Sequence, residues 1–247
     1  MRRHFRSVWI LLFCLLLLGC GSGSKRVLGE SSAIWKLSDR YAVTYGTLRH
    51  VFTYQKDNRY FYLFVSRNPR EAGSSKNVIE SETKNDRVYA LCKSASKVDA
   101  SETGTYYECL TGSFRYCINL DEENQAVESL LSMSEAIALM ENPVPQSDAL
   151  TLINDEWTAY YRLESCNLEI ELFPGDGGKQ YRSLESKYEP RTEGKDSYLY
   201  LESDSIICYT DGTDTVMIKQ TNRAGSEHTA YNTVTECKAI LALLKTN

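Results

Sequence analysis

Apolar residues alternate with polar ones in several short runs of the chain, which is typical of strands with one buried face. Pairs of runs separated by a short polar turn predict β-hairpins. Asp211-Gly212 is the strongest turn signal, because a two-residue hairpin turn needs positive backbone φ. Three hairpins are predicted, with arms at 51–55 and 59–65, at 105–109 and 114–120, and at 205–209 and 215–220. Further strands are predicted at 87–93, 160–163, 168–173 and 197–201, and a loop at 68–86.

The pattern changes to a helical one at two places. Ser132-Met133-Ser134-Glu135 and Thr233-Val234-Thr235-Glu236 are capping boxes, in which a hydroxyl and a carboxylate bind amides that the first helical turn leaves unpaired. Apolar residues then recur at helical spacing, and Asn142-Pro143 ends the first helix. Each helix follows a predicted hairpin.

This order of elements predicts an α+β fold, a mostly antiparallel sheet with a few helices. Residues 106–120 align with 206–220 without a gap, so the chain can consist of two similar sheet-plus-helix halves. The alternative is that strand–turn–strand–helix is a common order that two unrelated segments share. The predicted division is a first half at 34–142, a linker at 143–155 and a second half at 156–247.

One aromatic run stands out in composition. Alternation places Tyr60, Tyr62 and Phe64 on one strand face and Phe61, Leu63 and Val65 on the other. One face is predicted to be core. The other needs a second cover, which can be a helix, the second half or a ligand, and protein is the favoured cover because strands buried on both faces are common.

The first residues combine a basic start with an apolar run that is too short to span a membrane. Arg2, Arg3 and Arg6 precede the run from Val8 to Leu18, whereas a spanning helix needs about 20 apolar residues. Leu17-Leu18-Gly19-Cys20 resembles the lipobox of bacterial lipoproteins.

That resemblance implies a signal peptide at 1–19, lipid attachment at Cys20 and a flexible lipidated tether at 20–33. It also implies a location in the bacterial cell envelope, outside the cytoplasm, with the membrane contacted through the N-terminal lipid. Two or three acyl chains make such attachment stable, whereas one holds only marginally. The alternatives are an ordinary cleaved signal or a short uncleaved anchor.

The net charge limits which classes of partner are expected. The first 19 residues hold three arginines and no acid, so the chain from Cys20 onward has 25 basic and 33 acidic residues and a net charge of −8. Nucleic acid is therefore not an expected partner, because phosphate backbones bind to surfaces with concentrated positive charge. An unidentified protein or envelope component is the expected partner.

Six cysteines follow Cys20, and an even number on an exported chain favours disulfides over free thiols, which are the alternative. Cys92 and Cys109 are expected to lie opposite each other if 98–102 is the loop between two antiparallel strands. A Cys208–Cys237 bridge would fix the last helix to its sheet. Cys117 and Cys166 are then left to join the two halves.

Familiar catalytic and ligand-binding motifs are missing from the sequence. It has no Gly-x-Ser-x-Gly, phosphate-loop, dinucleotide or His-Glu-x-x-His pattern, so no catalytic residue and no cofactor are predicted. His50 and His228 are the only histidines beyond the signal segment, which makes a zinc site unexpected. His50 is interpreted as a packed or surface residue, and His228 as a solvent-exposed loop residue.

The leading functional hypothesis is a non-enzymatic binding or envelope-structural module on a lipid anchor. The alternative is a tethered hydrolase that acts on cell-wall or sugar polymers through paired carboxylates, since 33 acidic residues allow many pairs.

Replacing Cys20 with serine tests the anchor. Without the thiol no thioether to a glyceride can form, so Cys20→Ser should abolish labelling by radioactive fatty acid and leave an unprocessed precursor. Unchanged labelling of that variant would show that the lipid is attached elsewhere or not at all.

Overall fold

Twelve strands form one antiparallel sheet in the computed structural model, which describes residues 29–67, 77–93, 104–120, 125–224 and 229–246. The strands are β1 Tyr45–Lys56, β2 Arg59–Ser66, β3 Asn77–Lys84, β4 Arg87–Lys93, β5 Thr105–Thr111, β6 Phe114–Leu120, β7 Thr151–Arg162, β8 Cys166–Phe173, β9 Glu189–Glu193, β10 Asp196–Leu201, β11 Ile206–Thr210 and β12 Thr215–Asn222. The helices are α1 Met133–Glu141, α2 Lys179–Leu184 and α3 Val234–Leu244, with short 3₁₀ helices at Gly29–Ser31, Ala33–Arg40, Val127–Ser129 and Glu202–Asp204. The predicted class, a mostly antiparallel sheet with few helices, is confirmed.

The strand order across the sheet is β3-β4-β5-β6-β2-β1-β7-β8-β12-β11-β10-β9. Strands β1 to β6 therefore follow the same relative order as β7 to β12. Pairing in the two later hairpins also matches, because Tyr107 lies opposite Ile118 in one and Ile207 opposite Ile218 in the other. The β1–β7 pair joins the two sets of strands in the middle of the sheet.

Strands β1 and β7 have twelve residues each, and their pairing forms a seam between the two sets. His50 lies opposite Trp157 at its centre. The backbones pack closely near one end, where a Cβ on Gly46 would lie 2.5 Å from the buried ring of Tyr161. A bulge at the other end shifts the register between Thr53 and Tyr54.

The two faces of the sheet are covered differently by the described helices. Helices α1 and α3 and the Ala33–Arg40 segment pack on one face, where their apolar residues share a core with Phe52, Leu63 and Ile118. Helix α2 packs on the opposite face through Leu184, which contacts Leu199 and Cys208. We call these the core face and the outer face.

The predicted tether ends too late in the chain. Glu30 accepts a hydrogen bond from Tyr116 on β6 at 3.0 Å, and Ser32 is buried and caps the helix Ala33–Arg40. The body therefore begins by Gly29 rather than at residue 34. Signal segment 1–19 and Cys20 lie outside the described residues.

The predicted linker 143–155 is also too long. Strand β7 begins at Thr151, so its last five residues belong to the sheet. The sequence pattern predicts neither edge strand. Strand β3 forms within the predicted loop 68–86, and β9 pairs with β10 at the other edge of the sheet. Both are edge strands with polar sequences, which carry no alternating pattern.

Residues 29–41 form a strap that crosses the core face and contacts both sets of strands. At the first set, Trp35 packs edge-on against Phe114, with ring centroids 5.1 Å apart. At the second, Tyr41 packs against Tyr161 of β7, with ring centroids 5.6 Å apart. Next to this contact, Arg40 makes two 3.0 Å hydrogen bonds to Glu236 of α3, and Tyr41 donates a 2.6 Å bond to the same carboxylate. Both strand sets are therefore held by one continuous segment.

One of the two predicted capping boxes, the one on α3, is only half formed because its glutamate binds the strap. Ser132 and Glu135 form a complete capping box on α1, as predicted. Thr233 accepts a bond from the amide of Glu236 on α3, but the Glu236 side chain binds the strap instead of reaching back. Its carboxylate is thus used for a tertiary contact.

Candidate functional site

A groove of about 410 Å³ crosses the outer face where β1, β7 and β8 lie side by side. Thr47, Tyr160 and Glu169 form one row across these strands, and Arg49, Thr158 and Glu171 form the next. Directly opposed side chains on such a sheet have Cβ atoms about 4.5–5.5 Å apart. The groove thus combines aromatic, hydroxyl and charged groups within reach of one ligand.

Two tyrosines are the exposed apolar surfaces of this groove. Tyr45 is 58% exposed and Tyr160 is 38% exposed, and both line it. Strand pairing fixes their Cα positions, since Tyr45 lies opposite Arg162 and Tyr160 lies opposite Thr47. Their rings offer flat surfaces that a ligand can cover.

The carboxylates of the groove differ in their electrostatic surroundings. Partial burial of its carboxyl group and the nearby charge of Glu169 raise the pKa of Glu171. Glu169 itself lies 3.7 Å from the ammonium of Lys219. Burial and the charge of Glu171 also raise the pKa of Glu156, which lies on β7. Glu171 therefore holds a proton more readily than an ordinary glutamate.

The aromatic run on β2 behaves as its alternation predicts. Phe61, Leu63 and Val65 are fully buried on the core face. Tyr60 is 45% exposed on the outer face, with Tyr62 and Phe64 half-buried beside it. That protein covers this outer face of β2 stays a prediction.

No disulfide joins any two of the six cysteines Cys92, Cys109, Cys117, Cys166, Cys208 and Cys237 of the described chain. The pairing of Cys92 with Cys109 is wrong because of register. Cys109 lies opposite Tyr89, three residues from Cys92 on β4, so the two cysteines point to opposite faces of the sheet. The loop assumed between them, 98–102, lies outside the described residues.

The other two pairings fail for reasons of topology. Cys208 packs on the outer face under α2, whereas Cys237 lies in the core on the other side of the sheet. Cys117 on β6 and Cys166 on β8 are separated by three strands, which places them at least about 19 Å apart at ~4.8 Å per strand. A disulfide needs Cα atoms roughly 4.4–6.8 Å apart.

Buried thiols here are suited to packing rather than reaction. Burial raises the pKa of Cys109 to about 11 and that of Cys208 to about 12, and it also raises the pKa values of Cys166 and Cys237. A thiol with a raised pKa forms little nucleophilic thiolate at neutral pH. These four cysteines therefore serve as small core residues.

A buried histidine–aspartate pair occupies the seam. His50 is fully buried, its ring stacks on Trp157 with centroids 4.1 Å apart, and its Nε2 lies 2.6 Å from Oδ1 of Asp155. Burial lowers the pKa of His50, and the hydrogen bond and charge of Asp155 only partly oppose this. His50 is therefore neutral at pH 7, and its Nε2–H donates to Asp155.

Sequence reasoning placed His50 in a packed or surface position and placed Asp155 in the linker. It could not join them, because the contact depends on the β1–β7 register between residues 105 positions apart. The groove was missed for the same reason, since its three strands come from separate parts of the chain. His228 lies outside the described residues.

Within the described ranges, no group of three or more His, Cys, Asp or Glu side chains is arranged to hold a metal ion. No helix in the same ranges is long and apolar enough to cross a membrane.

Comparisons with known proteins add little to these observations. No protein-family model matches the chain, and no curated protein matches it. Among solved structures, it has a weak similarity to a DUF1329 family protein from Desulfovibrio piger ATCC 29098, with a TM-score of 0.11 and 9% identity over 83% of this chain and 96% of that chain. A TM-score this low supports no statement about fold or function.

The His50–Asp155 pair predicts how stability depends on pH. Since folding lowers the pKa of His50 below the ordinary value of about 6.5, the unfolded chain binds a proton that the folded chain excludes. The free energy of unfolding should therefore fall as pH drops below about 6.5, by at most about 1.4 kcal/mol per pH unit from this group.

His50→Gln keeps a donor for Asp155 but cannot titrate, so its stability should change less between pH 7.5 and pH 5.5. Chemical denaturation of both proteins at several pH values measures the difference. Equal pH slopes in the two proteins would contradict this account of His50.

Proposed function

We propose that the protein is a lipid-anchored, extracytoplasmic binding module without catalytic activity, and that the groove across β1, β7 and β8 is its binding surface. The observation that carries the proposal is the pair of exposed tyrosines, Tyr45 and Tyr160, in one groove with Arg49, Glu169 and Glu171. Binding sites typically combine flat apolar surface with a few polar groups that orient the ligand.

The composition of the groove favours a polyhydroxylated envelope polymer as the ligand. A sugar ring has apolar C–H faces that cover a tyrosine ring and hydroxyls that bond to carboxylates, guanidinium and threonine hydroxyls. Thr47 and Thr158 supply such hydroxyls beside Arg49. Two carboxylates in the groove and a net charge of −8 from Cys20 onward disfavour a strongly anionic polymer.

The proposed anchor would keep this groove near the membrane. The described body begins at Gly29, nine positions after Cys20. Nine residues span at most about 30 Å when fully extended. A lipid at Cys20 would therefore hold the strap, and with it the sheet, close to the envelope surface.

One observation favours the hydrolase alternative. Glu169 and Glu171 share a face two residues apart on β8; Glu171 has a raised pKa, and Glu169 is paired with Lys219. Two carboxyl groups in different electrostatic surroundings suit the acid and base roles of glycoside hydrolysis. Release of sugar products distinguishes the two readings: a hydrolase would release them and lose that activity in Glu171→Gln, whereas a non-catalytic module would release none with either protein.

We further infer that the two sets of strands derive from duplication of one sheet-plus-helix unit. Their equal strand order, the matching Tyr107–Ile118 and Ile207–Ile218 pairs, and the N-caps Ser132 and Thr233 support this. Residues 106–141 should then superpose on 206–244. Different placement of α1 and α3 on their hairpins in a crystal structure would contradict the duplication.

Co-sedimentation with insoluble, purified cell-wall glycan tests the groove. The full chain in detergent should pellet with the glycan, and Tyr45→Ala with Tyr160→Ala should weaken binding about 5- to 150-fold, since each aromatic contact contributes roughly 0.5–1.5 kcal/mol. Tyr60→Ala is the matched control: it removes an exposed tyrosine from the same face but outside the groove.

Equal pelleting of the double variant and the wild type would exclude the groove as the glycan-binding surface. No pelleting of the wild type would exclude cell-wall glycan as the ligand.

A further inference from the structure

A second cavity, of about 380 Å³, lies at the end of the sheet where β7 begins and β8 ends. Its walls include the apolar residues Leu152, Ile153, Phe173 and Pro174, and its polar residues include Asp155 and Lys179. The seam bulge lies in this wall, since the register of β7 skips Ile153 between Leu152 and Asn154. Bulges are frequent beside binding sites because they redirect side chains.

Asp155 has one oxygen without a partner in the described structure. Its Oδ1 accepts the bond from His50, while its Oδ2 is buried and bonded to nothing. The side chain is 10% exposed and lines the cavity. A buried acceptor left without a donor is destabilising, so a donor from the cavity would remove an unfavourable contribution.

The other carboxylate in this cavity is already satisfied. Asp176 accepts bonds from the amides of Gly178 and Gln180 and from the hydroxyl of Thr215, all at 2.9 Å. Asp155 is thus the carboxylate of this cavity with unused hydrogen-bonding capacity.

We propose that this cavity binds a small protonated amine with an apolar body, whose ammonium group donates to Oδ2 of Asp155 and whose apolar part packs against Leu152, Ile153 and Phe173. The cavity is separate from the groove on the outer face, so the proposal does not depend on the function assigned there. The exposed Lys179 at its edge opposes the binding of a cation and limits affinity.

Calorimetric titration of the full chain in detergent at pH 7.5 tests the site, with benzylammonium as the probe. Benzyl alcohol has the same ring without the charge, and benzoate reverses the charge. Benzylammonium should bind at least tenfold more tightly than either. It should also perturb the fluorescence of Trp157, which stacks on His50.

Three variants make the test specific. Asp155→Asn should weaken benzylammonium binding at least tenfold, and Lys179→Gln should strengthen it about twofold or more by removing a like charge. Glu156→Gln is the matched control, because it removes a carboxylate from the neighbouring residue, which does not line the cavity. It should leave affinity unchanged.

The proposal is overturned if benzylammonium does not bind the wild type, if benzyl alcohol binds equally well, or if Asp155→Asn binds as the wild type does. If Asp155→Asn fails to fold, the comparison of ligands and the Lys179→Gln variant still decide. Unchanged or weaker binding to Lys179→Gln would then exclude the site.

Discussion

The pairing of β1 with β7 is the interaction on which the rest of the structure depends. It turns two six-stranded sets into one sheet, and it places His50 against Trp157 at the centre. Strand β7 lines both candidate sites, because the groove lies on the outer face of β1 and β7 and the second cavity lies at the end where β7 begins. Strand β1 lines the groove and contacts Asp155 of the second cavity through His50. Any loosening of this seam would disturb both sites at once.

The strap reinforces the seam from the core face. Trp35 packs edge-on against Trp157, with centroids 4.7 Å apart, directly over the ring that stacks on His50. The same segment ends in the bonds from Arg40 and Tyr41 to Glu236 on α3. Since the strap is also the part of the described body nearest in sequence to Cys20, the proposed anchor would be joined to the segment that holds the two strand sets together.

Local chemistry was sufficient to predict some elements and insufficient for others. The hairpin around Asp57-Asn58 follows from two turn residues with positive φ, and α1 follows from the capping box at Ser132. The hairpin at Asp211-Gly212 forms as predicted, but through a four-residue loop, 211–214, in which Gly212 and not Asp211 has positive φ. Edge strand β3, with Glu80 and Glu82 among its exposed residues, has no buried face and therefore no pattern. The cysteine pairings, the groove and the His50–Asp155 contact depend on strand order and register between distant segments, which hydrophobic periodicity does not encode.

Hydrogen exchange at the seam tests the central claim most directly. If β1 and β7 hold one continuous core, the backbone amides of 48–54 and 155–161 should be among the slowest to exchange. The free energy of opening measured at these amides should equal the global free energy of unfolding in both segments, and it should depend on denaturant concentration in the same way. Exchange of one strand set in a separate step of lower free energy, while the other stays protected, would show that the seam joins two independent units and would contradict this account.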